Sequence, residues 1–147
     1  MRRIKFWVFA FILLFVVNPG ISAENETDFL YGFLKGSYEL VGRWPDSNET
    51  YSGKIILEKD HGHFNVVRLI NGKKISGIGK IETATSDEVK VLRIRFKQDE
   101  REYEGTYLIG SDLDNYGRLT GYLYLENGKT KNPGLEALFI VLDAFRK

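Results

Sequence analysis

From residue 36 onward, apolar and polar positions alternate with a period of two, the pattern of half-buried strands. Strands are predicted near 36–42, 50–59, 63–70, 74–82, 88–97, 101–110, 116–126 and 134–142. Turn chemistry separates them. Asn71-Gly72 is the strongest short hairpin signal, because both central residues of a type I′ turn need positive φ. Asp60-His61-Gly62, Gln98-Asp99-Glu100 and Asn127-Gly128 mark further tight turns. Ahead of the strands, Phe29, Leu30, Phe33 and Leu34 make one apolar stripe of a short helix over 24–35, stopped by Gly36. The expected domain, 36–147, is an antiparallel up-and-down meander, with the helix closing one end through Phe29, Phe33 and Leu34.

An internal repeat says how the meander ends. Tyr51-Ser-Gly53, Ile75-Ser-Gly77, Tyr103-Glu-Gly105 and Leu119-Thr-Gly121 share one form, each with another apolar residue six positions after the first. Strand side chains alternate, so these glycines share a face with the apolar residues, and Lys54, Glu58, Lys80, Glu104 and Glu126 take the other. Four inward glycines imply a sheet that coils hard enough to close, which also removes exposed edges. The predicted fold is therefore all-β, an eight-stranded antiparallel barrel. The glycines have two readings. They give curvature and room for large neighbours such as Tyr51 and Phe96, or they hollow out a ligand space, since eight strands enclose room for side chains or one small molecule.

Residues 1–23 read as targeting. Arg2, Arg3 and Lys5 precede an unbroken apolar run from Phe6 to Val17, then Asn18-Pro19-Gly20 and a small residue, Ala23, at the cleavage point. That order is a secretory signal peptide, and the run is short for a bilayer-spanning helix of about 20 residues. An uncleaved amino-terminal anchor is the rival reading. The expected destination is outside the cytoplasm, periplasmic or extracellular, with membrane contact only through the cleaved segment. The segment also distorts the charge. It holds three of the 21 basic residues and none of the 20 acidic ones, so the remaining chain carries 18 against 20, a formal charge of −2. A basic footprint for nucleic acid is missing.

Composition narrows the chemistry. The chain has 147 residues, 14% of them aromatic, 15 Gly and no Cys, which suits one globular domain and excludes a disulfide scaffold, a thiolate metal site and a cysteine nucleophile. Only His61 and His63 supply imidazole, and there is no nucleophile elbow, phosphate loop or zinc-protease helix. No enzyme, cofactor or catalytic residue is expected. His61 and His63 share a strand face with Asp60 nearby, and Asp112 and Asp114 could approach from an equivalent hairpin, but a closed zinc site needs four clustered ligands. Asp112 to Tyr116 imitates a calcium loop and fails at Tyr116 and at Leu123, where a bidentate Glu should stand. No metal site is expected. Asn25 and Asn48 open glycosylation sequons that matter only in a eukaryotic source.

Several short motifs carry a resemblance. Gly36-Ser-Tyr38, Gly42-Arg-Trp44-Pro45-Asp46, Tyr51-x-Gly53, Phe64-x-Val66, Gly77-Ile-Gly79 and, less cleanly, Gly117-x-x-x-Gly121 are similar to a family of small secreted bacterial β-barrel proteins of unassigned role. More distantly the chain resembles the calycins (lipocalins, fatty-acid-binding proteins and avidins), with Gly36-x-Tyr38 where they carry Gly-x-Trp. The resemblance implies a calycin-like barrel and a small apolar or amphipathic ligand. Avidin-type biotin binding fits poorly, because Trp44 is the only tryptophan after the signal segment. Arg68 stands where related chains show an aromatic, so their pocket chemistry does not carry across.

The candidate ligand contacts are Arg68, Trp44, Tyr51, Tyr107 and Glu136. If Arg68 faces inward with Phe64, Val66 and Ile70, it must be paired, and Glu136 on the last strand is the partner to expect. The alternative turns Val67 and Leu69 inward and leaves Arg68 in water. An inward Arg68 would suit a carboxylate ligand, the chemistry of fatty-acid-binding calycins. Trp44, in a loop beside Pro45, is expected at the barrel mouth. On the last strand, Leu138, Ile140 and Leu142 are expected inside, leaving Ala137, Phe139 and Val141 outside beside Tyr122 and Tyr124. Such a patch calls for cover, by the chain's own helix or by a second copy in a homodimer through this strand. A helical continuation through Asp143 to Lys147 is the rival reading of this end. Two function classes follow. One is a non-catalytic barrel holding a small apolar or amphipathic molecule inside. The other is a solid barrel that acts as a protein-interaction module through its outer face.

Overall fold

The computed structural model describes residues 23–84, 89–110, 118–126 and 128–142. One helix, α1 (Ala23–Leu34), precedes eight strands: β1 (Gly36–Arg43), β2 (Thr50–Asp60), β3 (His63–Ile70), β4 (Lys73–Thr83), β5 (Lys90–Gln98), β6 (Arg101–Leu108), β7 (Arg118–Leu125) and β8 (Gly134–Ile140). Each strand pairs antiparallel with the next, and β8 pairs with β1, so the meander closes into an up-and-down barrel consistent with a calycin-like fold. The strand starts and ends lie within two residues of the alternation, apart from the starts predicted at 88 and 116, which lie outside the described residues together with the signal segment before Ala23.

Three hairpins fix the register. Asn71 and Gly72 take φ of 50° and 75°, His61 and Gly62 take 31° and 82°, and Asp99 and Glu100 take 47° and 64°. All three have the two positive φ values of a type I′ turn, whose twist matches that of the flanking strands. Because a one-residue slip would turn every side chain to the other face, these turns decide what is inside. In β3 they place Phe64, Val66, Arg68 and Ile70 inward. The reading with Val67 and Leu69 inside is overturned, and Leu69 is 38% exposed.

The helix closes one end through Leu34, as expected, but with Tyr31 beside it in place of Phe29 and Phe33. Phe29 and Phe33 are 68% and 59% exposed and stack on each other, while Tyr31 and Leu34 are buried. The reason lies in what a tyrosine can do at a barrel rim. Tyr31 tilts its ring on Phe64 at 4.9 Å, and its hydroxyl accepts a hydrogen bond from the Ile81 N–H at 3.1 Å. Phenylalanine could fill that space but not satisfy that backbone group. Tyr38 donates to the Leu34 carbonyl at 2.8 Å, tying the helix end to β1.

At β8 the alternation holds for Leu138, which is fully buried, and for Phe139, which is exposed. Leu142 is also exposed, at 59%, because the strand ends at Ile140 and the chain has left the wall. Helix α1 packs over β2 and β4, so it does not cover Tyr122, Tyr124 or Phe139. Residues 143–147, where a helical continuation would lie, are outside the described residues.

Candidate functional site

One row of residues crosses five neighbouring strands in register. Tyr51 on β2 pairs with Gly42 on β1, Gly42 with Glu136 on β8, Glu136 with Gly121 on β7, and Gly121 with Tyr107 on β6. All five point inward. The two glycines flanking Glu136 leave space that the two tyrosine rings occupy. A methyl group on Gly42 would lie 2.7 Å from the Tyr51 ring, and one on Gly121 would lie 2.8 Å from Tyr107 and strike the Thr106 carbonyl. Glycine is needed here for close approach, which is the curvature reading of the repeat.

The row converges on one carboxylate. Tyr51 Oη and Tyr107 Oη each donate to Glu136, one to each oxygen. From β3, Arg68 donates to the same two oxygens, Nη2 to Oε1 at 2.5 Å and Nη1 to Oε2 at 3.2 Å. This bidentate fork with two phenols satisfies the carboxylate with four hydrogen bonds. The side chains of Arg68 and Glu136 have no exposure to solvent. The guanidinium carbon sits 4.1 Å from the centre of the Phe96 ring, a cation–π contact that covers its face. Arg68 Nε has no hydrogen-bond partner among the described residues.

The electrostatics follow from the burial. Desolvation alone would push Glu136 up, but the Arg68 charge and the hydrogen bonds from Arg68, Tyr107 and Tyr51 outweigh it and hold the carboxyl below its usual value. Burial likewise works against the Arg68 cation, yet Glu136 beside it raises the guanidinium further. Tyr51 and Tyr107 are pushed well up, by burial first and by the Glu136 charge second, so both phenols remain donors.

Trp44 covers the end of the barrel opposite α1. Its ring stacks on Tyr51 at 4.2 Å and tilts against Tyr103 at 5.5 Å, and Tyr103 in turn stacks on Phe96 at 5.2 Å. The Trp44 loop is fastened to the segment before β8. The Asp46 carboxylate accepts from the Asn132 N–H at 2.7 Å and the Lys131 N–H at 3.0 Å, and Asp46 N–H donates to the Asn132 carbonyl at 2.9 Å. The five residues proposed from sequence, Arg68, Trp44, Tyr51, Tyr107 and Glu136, are therefore neighbours. Missed were Gly42 and Phe96 as cluster members and Asp46 as the fastener. A glycine in register with a tyrosine leaves a sequence signal only once strand pairing is known, and Asp46 to Asn132 leaves none.

The outside of the same wall carries an open trough of about 1120 Å³. Its floor follows the row, and its sides are mostly apolar, with Val41, Leu108, Tyr122 and Leu135 exposed. The histidine end is plainer. His61 is solvent-exposed and hydrogen-bonds Asp60 at 2.6 Å, which lowers the Asp60 carboxyl. Asp112, Asp114 and the calcium-like loop lie outside the described residues; among those described, no cluster of three metal-ligating side chains forms.

The chain matches no protein-family model and no curated protein.

Proposed function

We propose that this chain is an exported, non-catalytic binding module that meets its ligand on the outside of the barrel. The carrying observation is the contrast across one wall. Inside, the Tyr51 and Tyr107 hydroxyls and both Nη groups of Arg68 donate to Glu136 of the same chain. Outside, Val41, Leu108, Tyr122, Leu135 and Phe139 leave an apolar surface in water. A filled interior with an exposed apolar face is the arrangement of an interaction surface. The basic-then-apolar start of the chain, with Ala23 at its end, supports export to the periplasm or beyond, in keeping with the resemblance to small secreted bacterial barrels. A symmetric pairing of two copies through Phe139 of β8 belongs to the same reading.

Native mass spectrometry of protein purified from its host tests this. A co-purifying species should be lost from Leu135→Glu and kept by Tyr107→Phe; the opposite pattern places the ligand inside. The interior reading, a small apolar or amphipathic molecule beneath Trp44, is favoured by one observation, the unpartnered Arg68 Nε–H. It requires Trp44 to lift, so its indole should become accessible to a collisional quencher when ligand enters. On the outer-face reading the indole stays protected by Tyr51 and Tyr103 throughout.

A further inference from the structure

We infer that the partner of the outer face is a second copy of this chain, held by reciprocal ion pairs between Arg43 of one copy and Glu39 of the other; this rests on the outer-face reading above and names its partner. The outward positions of β1 are Glu39, Val41 and Arg43, and those of β8 are Leu135, Ala137 and Phe139. Strand pairing sets them side by side in three rows: Leu135 with Arg43, Ala137 with Val41, and Phe139 with Glu39. Val41, Leu135 and Phe139 are 47%, 45% and 43% exposed, so the middle of this patch is apolar and in water. An open feature on the outside of a closed barrel encloses no small molecule. Every strand already has a partner on both sides, so no ladder N–H or C=O is left for strand addition by a peptide. What remains is a surface for another folded surface.

The charges say which surface. Arg43 makes one long hydrogen bond, Nη2 to the Pro133 carbonyl at 3.4 Å, and no ion pair among the described residues. Glu39 is exposed and likewise forms no ion pair among the described residues, although Lys54 stands opposite it on β2. Consider a second copy laid face to face about a two-fold axis that crosses the strands at Val41 and Ala137. The rotation reverses strand direction and keeps each strand over its own counterpart. Arg43 then falls on Glu39 of the other copy, and Glu39 on its Arg43. Leu135 falls on Phe139 of the other copy and the reverse, while the small middle row meets itself. Arg118 on β7 falls on Tyr122, a ring face, and Lys54 falls on Thr50, so no like charges come directly opposite. A charge pattern that is its own complement under rotation selects a second copy over an unrelated apolar partner. The contact is small. Three strands and three outward rows span roughly 10 Å by 14 Å, well short of the ~800 Å² a side of a standard interface. The dimer is therefore reversible, dissociating on the order of 10–100 μM.

The test is sedimentation equilibrium of the purified exported protein from about 1 μM to about 1 mM, at two salt concentrations. The wild-type chain should show a monomer–dimer equilibrium that weakens as salt is added. Arg43→Glu and Glu39→Arg each set two pairs of like charges against each other in the dimer, and each should weaken it by roughly a hundredfold or more. Mixing the two variants should restore a one-to-one dimer, because every Glu then meets an Arg. The double variant, with both charges exchanged, should restore it as well. Leu135→Glu should abolish pairing, whereas Ile78→Glu on the far side of the barrel should not. The melting temperature of each variant reports folding, and if one charge reversal fails to fold the double variant still tests the register. A folded protein that stays monomeric throughout, a dimer indifferent to both reversals, or reversals that neither mixing nor the double variant rescues overturns the inference. If the protein stays monomeric while Leu135→Glu still releases a host-derived species, the outer-face reading stands and the pairing falls.

Discussion

An arginine–glutamate pair inside this barrel and an arginine–glutamate ladder outside it behave differently. Inside, Arg68 and Glu136 form a fork with no exposure of either side chain. Outside, on β4, β5 and β6, Arg93 and Arg95 share Glu82 and Glu104 at 2.7 Å to 3.7 Å, with exposures from 25% to 36%. The distances overlap, so geometry alone does not rank them. Solvent does. Water screens the outer ladder and would solvate either partner if the other were removed, whereas neither water nor a spare side chain waits for an unpaired Arg68. The inner pair contributes less as an attraction than as a condition: once one member is buried, the other must be present.

The largest effect should follow from breaking that condition. Glu136→Ala leaves Arg68, Tyr51 and Tyr107 buried without their acceptor and should cost roughly 3–5 kcal/mol in chemical denaturation. Replacing Arg68 and Glu136 together with apolar residues of similar volume should cost far less, because the desolvation of both charges is then avoided.

The same contrast appears in pH. Glu136 is held below the ordinary carboxyl value of about 4.3 when folded, so its contribution is complete above that value and lost as pH falls through the folded one. Glu82, lowered chiefly by its hydrogen bond from Arg95, adds a smaller loss of the same sign. Denaturation midpoints between pH 7 and pH 2 should therefore fall, and Glu136→Gln should flatten the fall more than Glu82→Gln. In alkali the sign reverses. Burial pushes Tyr38 up to about 12, so stability is complete below the unfolded tyrosine value of about 10 and declines above it.

Next in size is the glycine row. Gly121→Ala puts a methyl group against the Thr106 carbonyl and 2.8 Å from the Tyr107 ring, and should cost about 1–3 kcal/mol through displacement of that ring. A tyrosine absorbance spectrum showing a changed Tyr107 environment would tie the loss to the cluster. The smallest effect belongs to the outer ladder. Glu104→Ala removes one acceptor from Arg95 and Arg93 and should change stability by about 0–1 kcal/mol, less as salt is added.

What the sequence could and could not reveal divides along the same wall. Strand positions, closure and the inward glycines follow from a period of two, which is written locally in the chain. The sequence leaves open the side on which Arg68 lies, because Val67 and Leu69 offer an apolar alternation of their own. The decision comes from the Asn71-Gly72 turn and from Glu136, 68 residues away, and only strand pairing brings those together. Tyr31 is hidden beside Phe29 and Phe33 for a related reason. Hydrophobicity ranks phenylalanine first, but the rim needs a ring that can also accept the Ile81 N–H. The helix does not cover the β8 face, because the short connection at Lys35 directs it onto the barrel end over β2 and β4.

The claim that this barrel binds outside and is filled inside can be read directly from two-dimensional NMR of the protein with and without the species that co-purifies from its host. The account predicts shifts concentrated at the Val41, Leu108, Thr120 and Leu135 amides, with the Trp44 indole and Arg68 Nε–H resonances unmoved. Shifts centred on Trp44 and Arg68, with the trough amides unmoved, would contradict it.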